Sequence, residues 1–447
     1  MKLLKGRWKK LSAGCFFAVN CFDMKAILAA LALFLLALRA GATIDVALQM
    51  QLGNPSGTIA DTNNHNHYLI QRTVEAIDYS DNLGEPVWAS WDLTSGDVGS
   101  AARSTTYFTD TNLPPNFYRV TDNDYVGVGA IDFNRGHLCP SEDRTDTRQD
   151  NDTVFFMSNI MPQSGPNNQG VWANLETDCR TLASAGNELL IICGPSGFGV
   201  NKIPSGKAYI GSNVWKIVVS VPLGSGTALS RLRVTNRVIA VSIPNITNGL
   251  SSSWQTYVTS PRQIEQNTGF TFFSAVPANI AAVFRAKVDG WPAPGITNVS
   301  PGSGSVGNSV VIKGTNFTGA SVVWFNGTNA AFTLNSGNQI TATVPANAMS
   351  GPVSVIAPGG LAVSAGNFTV INPAIAPSFS LLTFTNNQFQ FTVTGTAGSN
   401  YVVQATTNLT APDSDWTPLK TNAAPFVFIQ FNANLFNQRF YRAVLNP

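Results

Sequence analysis

Two short segments of the chain, about thirty residues apart, carry side chains whose types and spacing could do chemistry. The first places Arg135 two residues before His137, and the second carries Asn168 and Glu176, with Arg180 one turn further along. A neutral imidazole is a general base, an amide oxygen can anchor a divalent ion, and guanidiniums bind phosphate oxygens. Together these groups predict an enzyme that hydrolyses phosphodiester bonds.

His137 is the histidine with catalytic surroundings. Gly136 is predicted to let the backbone turn tightly beside it, and Arg135 supplies a permanent cation. An uncharged imidazole can take a proton from water at neutral pH, as attack on phosphorus requires. A structural histidine in a turn is the alternative for so short a motif. The second segment favours the catalytic interpretation.

The second segment is predicted to be helical over residues 168–185, with Asn168 near its start. In a straight helix the Cα atoms of Asn168 and Glu176 lie roughly 12 Å apart, too far for both to bind one ion directly. We therefore assign Asn168 as the direct metal ligand and Glu176 as an outer carboxylate that orients water. Mg²⁺, or Mn²⁺ in its place, suits so few protein oxygens. The alternatives are a helix cap at Asn168 and a helix-supporting pair between Glu176 and Arg180.

Two other polar clusters are weaker candidates. His65 and His67 form an H-x-H pair that could bind a metal, but the polar run around them is typical of a solvated loop. The acidic stretch 142–152 is interpreted as a solvated loop in preference to a second ion site.

Composition and patterning predict an α+β fold with appended all-β modules. The 447 residues are too many for one ordinary core, and only 12% are charged. Segments rich in β-branched and aromatic residues are predicted as strands: 69–79, 86–93, 154–157, 189–193 and 215–221. Besides the helix at 168–185, a second helix is predicted near 261–267.

The N-terminus has the pattern of a signal peptide. Lys25 precedes an apolar run over 26–38 and then small residues over 40–42, and Met24 could be the true start. The run is short for a membrane span, although a retained anchor is the alternative. The protein is therefore expected to be secreted, or to lie in the periplasm or at the cell surface.

Removal of residues 1–42 would leave 20 Lys and Arg against 24 Asp and Glu, a net charge of −4. Any nucleic acid must then be held by a local cationic patch or a metal ion. Cys139, Cys179 and Cys193 would remain, which permits one disulfide and one free thiol without indicating which two pair. The chain has no CxxC or Cys/His cluster, so a zinc site is not expected.

Composition shifts at 291–295, where a Pro- and Gly-rich segment begins. Residues 295–372 and 380–447 show short strands separated by turn signals, which predicts two small β-sandwiches. They carry four Lys and Arg, two Asp and no His, so chemistry is not expected there.

Ordered motifs make residues 43–290, and within them about 50–288, similar to the DNA/RNA non-specific endonucleases of the ββα-metal class. The motifs lie at 133–140, 158–163, 168–176 and Arg180. This resemblance implies a central antiparallel sheet flanked by helices and a strand–strand–helix finger that holds the metal. The family usually has Asp where this chain has Asn134, so the field near His137 would be weaker.

The resemblance also implies roles for single residues. His137 matches the general base and Asn168 the protein ligand of Mg²⁺, with Glu176 near the waters of the ion. Arg135 and Arg180 match arginines on the phosphate side. Arg103 is similar to an arginine that stabilises the charge of the transition state, and Asn159 to an asparagine beside the active centre that contacts substrate.

Residues 295–372 resemble immunoglobulin-like IPT/TIG domains, through 296–301, 314–317 and 325–327. Such modules are expected to act as spacers or to attach to a cell surface or polysaccharide. Two functions follow from the sequence. The first is a secreted, Mg²⁺-dependent endonuclease that cleaves DNA and RNA with little sequence preference. The second is a surface-binding or adhesion protein whose nuclease-like domain is catalytically weakened.

Overall fold

The computed structural model describes residues 48–371 and 375–446, so the predicted signal peptide lies outside the described residues. The strands of the first part are β1 (Tyr68–Gln71), β2 (Ala76–Ser80), β3 (Glu85–Leu93), β4 (Phe133–His137), β5 (Ile160–Ser164), β6 (Asn187–Lys202), β7 (Tyr209–Pro222) and β8 (Arg237–Pro244). Its α-helices are α1 (Arg148–Thr153), α2 (Ala173–Ser184), α3 (Ala228–Arg231), α4 (Pro261–Thr268) and α5 (Ala278–Ala286). Six strands form one antiparallel sheet in the order β1-β2-β3-β6-β7-β8.

This central sheet is covered on both faces. On β6, Leu189 and Ile191 enter one apolar core, which also contains Leu175 of α2. Leu190 and Ile192 enter a second core on the opposite face, beneath α4 and α5. Because both faces are buried, β6 appears in the sequence as a continuous apolar run and not as an alternation.

A separate two-stranded ribbon carries the first chemical motif. Strand β4 pairs with β5 in antiparallel register, with Phe133 opposite Ser164 and His137 opposite Ile160. A π-helical turn (Asn167–Trp172) and helix α2 follow β5 directly. The ribbon and helix form the strand–strand–helix finger that the sequence implied.

Several local predictions were wrong in detail. The strand predicted at 69–79 is two strands, β1 and β2, joined by a turn in which Arg72 N–H donates to the Glu75 carbonyl. The segment 154–157 is not a strand, since it follows α1 and leads into a 3₁₀ turn over Met157–Asn159. Part of the acidic stretch 142–152 is helix α1, and Asp143 is buried, so the stretch is not simply a solvated loop.

Residues 295–370 form two sheets that share one apolar core. Their strands are β9 (Gly295–Ser300), β10 (Ser303–Gly304), β11 (Ser309–Thr315), β12 (Val322–Phe325), β13 (Thr328–Asn329), β14 (Phe332–Ser336), β15 (Gln339–Thr343), β16 (Gly351–Ala357) and β17 (Gly360–Val370). One sheet has the order β10-β17-β16-β12-β13 and the other β14-β15-β11-β9. Helix α5 packs on β16 through Val283, Ala286 and Ile356.

The last part is also all-β. Its strands are β18 (Ser378–Thr385), β19 (Gln388–Thr394), β20 (Asn400–Thr406), β21 (Thr417–Ala423), β22 (Phe426–Gln430) and β23 (Phe440–Leu445). They form the sheets β18-β19-β22 and β21-β20-β23 around a core that contains Phe391, Tyr401 and Phe428. The predicted fold class, an α+β nuclease-like domain followed by all-β sandwich modules, is confirmed.

Cys139, Cys179 and Cys193 are all free thiols, buried in the core beneath α2. The disulfide that the odd cysteine count permitted is not formed among these three residues. Burial raises the pKa of Cys179 and Cys193 to about 12 and that of Cys139 well above its usual range. In the part of the chain that the structure describes, no helix combines the length and the apolar character needed to cross a bilayer.

These thiols yield a prediction about redox behaviour. Because no disulfide joins them and burial keeps them protonated, dithiothreitol is expected to leave the melting temperature unchanged. Ellman's reagent should react with them only after denaturation. A melting temperature that falls by several degrees under reducing conditions would contradict the arrangement.

Candidate active site

The first chemical motif lies on a strand and not on the predicted tight turn. Gly136 lies in β4 opposite Met161. A Cβ atom at Gly136 would lie 2.3 Å from the Gln163 side-chain oxygen and 2.6 Å from its Cβ. Glycine is therefore required at this position because the Gln163 side chain packs against it across the ribbon. A left-handed backbone conformation is not the reason.

Asn159 is fully buried outside the cleft. Its Nδ2 donates to the carbonyls of Cys139 at 2.9 Å and Val154 at 2.8 Å, and its Oδ1 accepts from the Cys139 N–H at 3.0 Å. The side chain is thus committed to the backbone just after His137. The structure does not bring Asn159 to the cleft with the other predicted site residues, and its side chain instead fixes the end of strand β4.

The π-helical turn before α2 presents Asn168. Gly170 departs from helical geometry there, with φ −109° and ψ −105°. The Asn168 amide donates to Asn134 Oδ1 at 3.1 Å, and the Gln169 amide donates to the same oxygen at 3.0 Å. The Asn134 side chain therefore orients the Asn168 amide, so that its NH₂ group faces β4.

A single cleft of about 660 Å³ lies between the finger and the segment after β4. Six of the seven predicted site residues line it: Arg103, Arg135, His137, Asn168, Glu176 and Arg180. Residues separated by 77 positions in the sequence, from Arg103 to Arg180, are therefore brought to one surface. Tyr107, Asn134 and Gln169 also line the cleft and were not predicted as site residues.

The His137 ring is held by aromatic contacts and is 8% exposed. Its centroid lies 4.6 Å from that of Phe155, edge to face, and 5.7 Å from that of Tyr107. Burial, and secondarily the positive charge of Arg103, lowers the pKa of His137 to about 3. Its buried Nε2 has no hydrogen-bond partner among the described residues. The imidazole is therefore neutral at physiological pH, and a neutral imidazole has one ring nitrogen that can accept a proton.

Glu176 also lines the cleft, and its carboxylate is desolvated. Burial raises its pKa to about 7, although Lys216 opposes the shift. Lys216 Nζ lies 3.8 Å from Glu176 Oε1. Arg180, which could have paired with Glu176 along the helix, instead contacts Glu142 at 2.7 Å and Asp143 at 3.1 Å.

The three arginines of the cleft differ in their partners. Arg135 is paired with Asp122 and lies over the Tyr107 ring at 5.3 Å. Arg103 donates to the Ser141 hydroxyl and lies 5.0 Å above the Phe155 ring. Within residues 48–371 and 375–446, no carboxylate forms an ion pair with Arg103. Its charge is thus the least compensated of the three.

The donor atoms of the cleft suit a hard, hydrated cation. Asn168 offers an oxygen ligand and Glu176 a carboxylate for surrounding water, and no cysteine is among the described residues that line the cleft. In the described ranges no cluster of three His, Cys, Asp or Glu side chains could hold a metal by itself. An ion here would keep most of its own waters, as Mg²⁺ does.

The other polar cluster lies elsewhere. His65 Nδ1 lies 2.9 Å from Asp81, and His67 Nδ1 lies 2.8 Å from Asp78. These carboxylates come from β2 and the residue after it, so the sequence around the histidines did not indicate them. Each histidine forms a separate pair.

One cleft of this fold brings together an imidazole, a side-chain amide and three arginines. The family model described as DNA/RNA non-specific endonuclease matches residues 54–279, half of the chain, and a model of the IPT/TIG domain matches residues 294–370. A nuclease of Nostoc sp. is 38% identical over 244 residues, covering 55% of this chain and 87% of the relative. The chain belongs to the DNA/RNA non-specific endonuclease family.

More distant proteins are also similar. The mitochondrial nuclease EXOG of Danio rerio is 25% identical over 216 residues, 46% of this chain and 60% of its own length. The human EXOG is 26% identical over 208 residues, 45% of this chain and 55% of its own length. A chain from the solved EndoG/EndoGI complex aligns with a TM-score of 0.44 and 18% identity, covering 53% of this chain and 94% of that chain.

The Asn134 contacts yield a prediction. Asn134→Ala removes the acceptor that orients Asn168, and we expect Mn²⁺ affinity, measured by calorimetry, to fall roughly 10- to 100-fold. Asn134→Asp keeps the acceptor and adds a negative charge, so affinity should equal or exceed that of the wild type. Asn213→Ala, at a partly exposed position of β7 outside the cleft, is the control. Unchanged affinity in Asn134→Ala would contradict this role.

Proposed function

We propose that the protein is a secreted, Mg²⁺-dependent endonuclease that hydrolyses phosphodiester bonds of DNA and RNA with little sequence preference. The observation that carries the proposal is the convergence of His137 and Asn168 on one cleft that also holds three arginines. Membership of the endonuclease family supports the nucleic-acid substrate. The leader-like N-terminal sequence supports secretion.

His137 acts as the general base in this proposal. Its neutral ring, which lines the cleft, and its aromatic packing support proton transfer from an attacking water at a fixed position. A phosphate that binds beside the ring favours the imidazolium, so the pKa of His137 rises in the complex. His137 is thus a stronger base in the substrate complex than in the free protein.

Asn168 would hold the ion through its side-chain oxygen, with Glu176 as an acceptor for surrounding water. A divalent cation here supplies positive charge for the phosphate and the leaving oxygen. Asn134 keeps the Asn168 amide oriented by accepting its hydrogen bond. The alternative, an adhesion protein with a weakened nuclease-like domain, rested on Asn134 in place of the usual Asp. This contact weakens that alternative, because the neutral Asn134 side chain still accepts a hydrogen bond from Asn168.

The arginines bind and position the substrate backbone. Arg103, without a carboxylate partner among the described residues, is the cation best placed to meet a phosphate. Arg135 and Arg180 are held in place by Asp122 and by Glu142 with Asp143. Contacts of this kind address phosphates and not base edges, which fits low sequence preference.

The decisive experiment is digestion of plasmid and RNA. His137→Ala is expected to lower kcat about 10²- to 10⁴-fold, the usual contribution of a general base. EDTA should abolish cleavage by the wild type. His65→Ala is the matched control, because His65 pairs with Asp81 away from the cleft. Metal-independent cleavage, or full activity in His137→Ala, would falsify the proposed mechanism.

The two pKa values predict the pH dependence. Glu176 must be ionised to accept hydrogen bonds from water, so kcat/KM should fall as pH decreases through about 7. His137, with a pKa of about 3 in the free protein, should contribute no limb near its usual pKa. Raising the Mg²⁺ concentration favours the carboxylate and should move the limb to lower pH. Persistence of an identical limb in Glu176→Gln would exclude this assignment.

A further inference from the structure

Lys216 is a lysine buried beneath the floor of the cleft. It lies in β7 and is 1% exposed, between Val214 and Val218, which belong to the core under α2. Its Nζ lies 4.2 Å from the ring centroid of Trp172 and 5.6 Å from that of Trp91. A buried ammonium is costly unless nearby groups compensate its charge.

The compensation comes from the cleft. The Glu176 carboxylate, 3.8 Å away, is the ion-pair partner of Lys216. Burial lowers the pKa of Lys216, but the negative charge of Glu176, with a smaller contribution from Asp143, raises it above its ordinary value. The lysine is therefore a permanent cation.

Glu176 has few other partners. In the described part of the chain its carboxylate accepts no hydrogen bond from a protein donor, and its side chain is 14% exposed. The charged groups around it are Lys216 from β7, Arg180 from its own helix, and Glu142 and Asp143 from the segment after β4. Arg180 is already engaged by both of these acids.

We propose that Lys216 is a positioning residue that anchors Glu176 from below and keeps it ionised, so that both carboxylate oxygens are available to water in the cleft. The inference rests on the proposed function of Glu176. The indole faces of Trp172 and Trp91 fix the ammonium by cation–π contact without taking up the carboxylate. Trp91 Nε1 also donates a hydrogen bond to Asp143 at 3.1 Å, and Asp143 in turn forms an ion pair with Arg180. Trp91 therefore contacts both Lys216 and the acid that holds Arg180.

The test is the titration of Glu176 followed directly. Carboxyl-¹³C-glutamate NMR, with the Glu176 signal assigned from Glu176→Gln, gives its midpoint in the wild type and in Lys216→Met. We expect the midpoint of the Glu176 titration to rise by at least one pH unit in Lys216→Met. The pH at which kcat/KM for cleavage falls should rise by the same amount. In a Glu176→Gln background, Lys216→Met should not change the pH profile further. Lys287→Met removes another largely buried lysine, which lies outside the cleft. It should leave both the Glu176 midpoint and the pH profile of kcat/KM unchanged.

The outcomes separate the two proposals. An unchanged midpoint in folded Lys216→Met overturns the role of Lys216. A midpoint that moves while the cleavage limb stays fixed supports Lys216 and overturns the role of Glu176 in catalysis. If Lys216→Met fails to fold, ζ-¹⁵N-lysine NMR of the wild type replaces it. The chemical shift of Lys216 ¹⁵Nζ must then change with pH at the midpoint of the Glu176 titration, and this change must disappear in Glu176→Gln. A Lys216 chemical shift that does not respond to the ionisation of Glu176 overturns the inference.

Discussion

Burial of both faces of the central sheet is the constraint from which the site follows. A strand with apolar cores on either side offers no route to solvent, so a charge placed on it must be compensated inside the protein. Lys216 is such a charge, on the face shared with α2. The helix that covers this face also carries Glu176, and the π-helical turn leading into it carries Asn168. Docking α2 on the core therefore builds one side of the cleft.

The β4–β5 ribbon builds the other side by a different means. Pairing of β4 with β5 sets the register of His137, and buried Asn159 fixes the backbone just beyond it. The aromatic walls that hold the imidazole also remove water from it, which is why its pKa falls. The same aromatic packing thus fixes the position of the imidazole and removes water from it. This desolvation keeps the histidine neutral.

The sequence predicted the cleft better than the elements around it. Residue types, spacing and the family resemblance predicted that His137, Asn168, Glu176 and the arginines share one site, and the structure brings them to one cleft. Lys216 was missed although a lone charge within the apolar run 215–221 was visible, since its meaning depends on the helix that packs above it. Asn159 lies outside the cleft, which the sequence could not indicate, because a buried amide and a substrate-binding amide have the same sequence signature. The Gly136 turn was wrong because the requirement for glycine comes from Gln163 across the ribbon.

The electrostatics of the cleft follow from local pairing and not from net charge. Residues 43–290 carry 16 Lys and Arg against 22 Asp and Glu, so the domain as a whole repels a polyanion. Within the cleft, Arg135 and Arg180 share their charge with acids that hold them still, whereas Arg103 rests on Phe155. A phosphate therefore finds one uncompensated guanidinium and two pre-positioned ones. Because the surrounding field is negative, attraction of a phosphate to these arginines must act at short range.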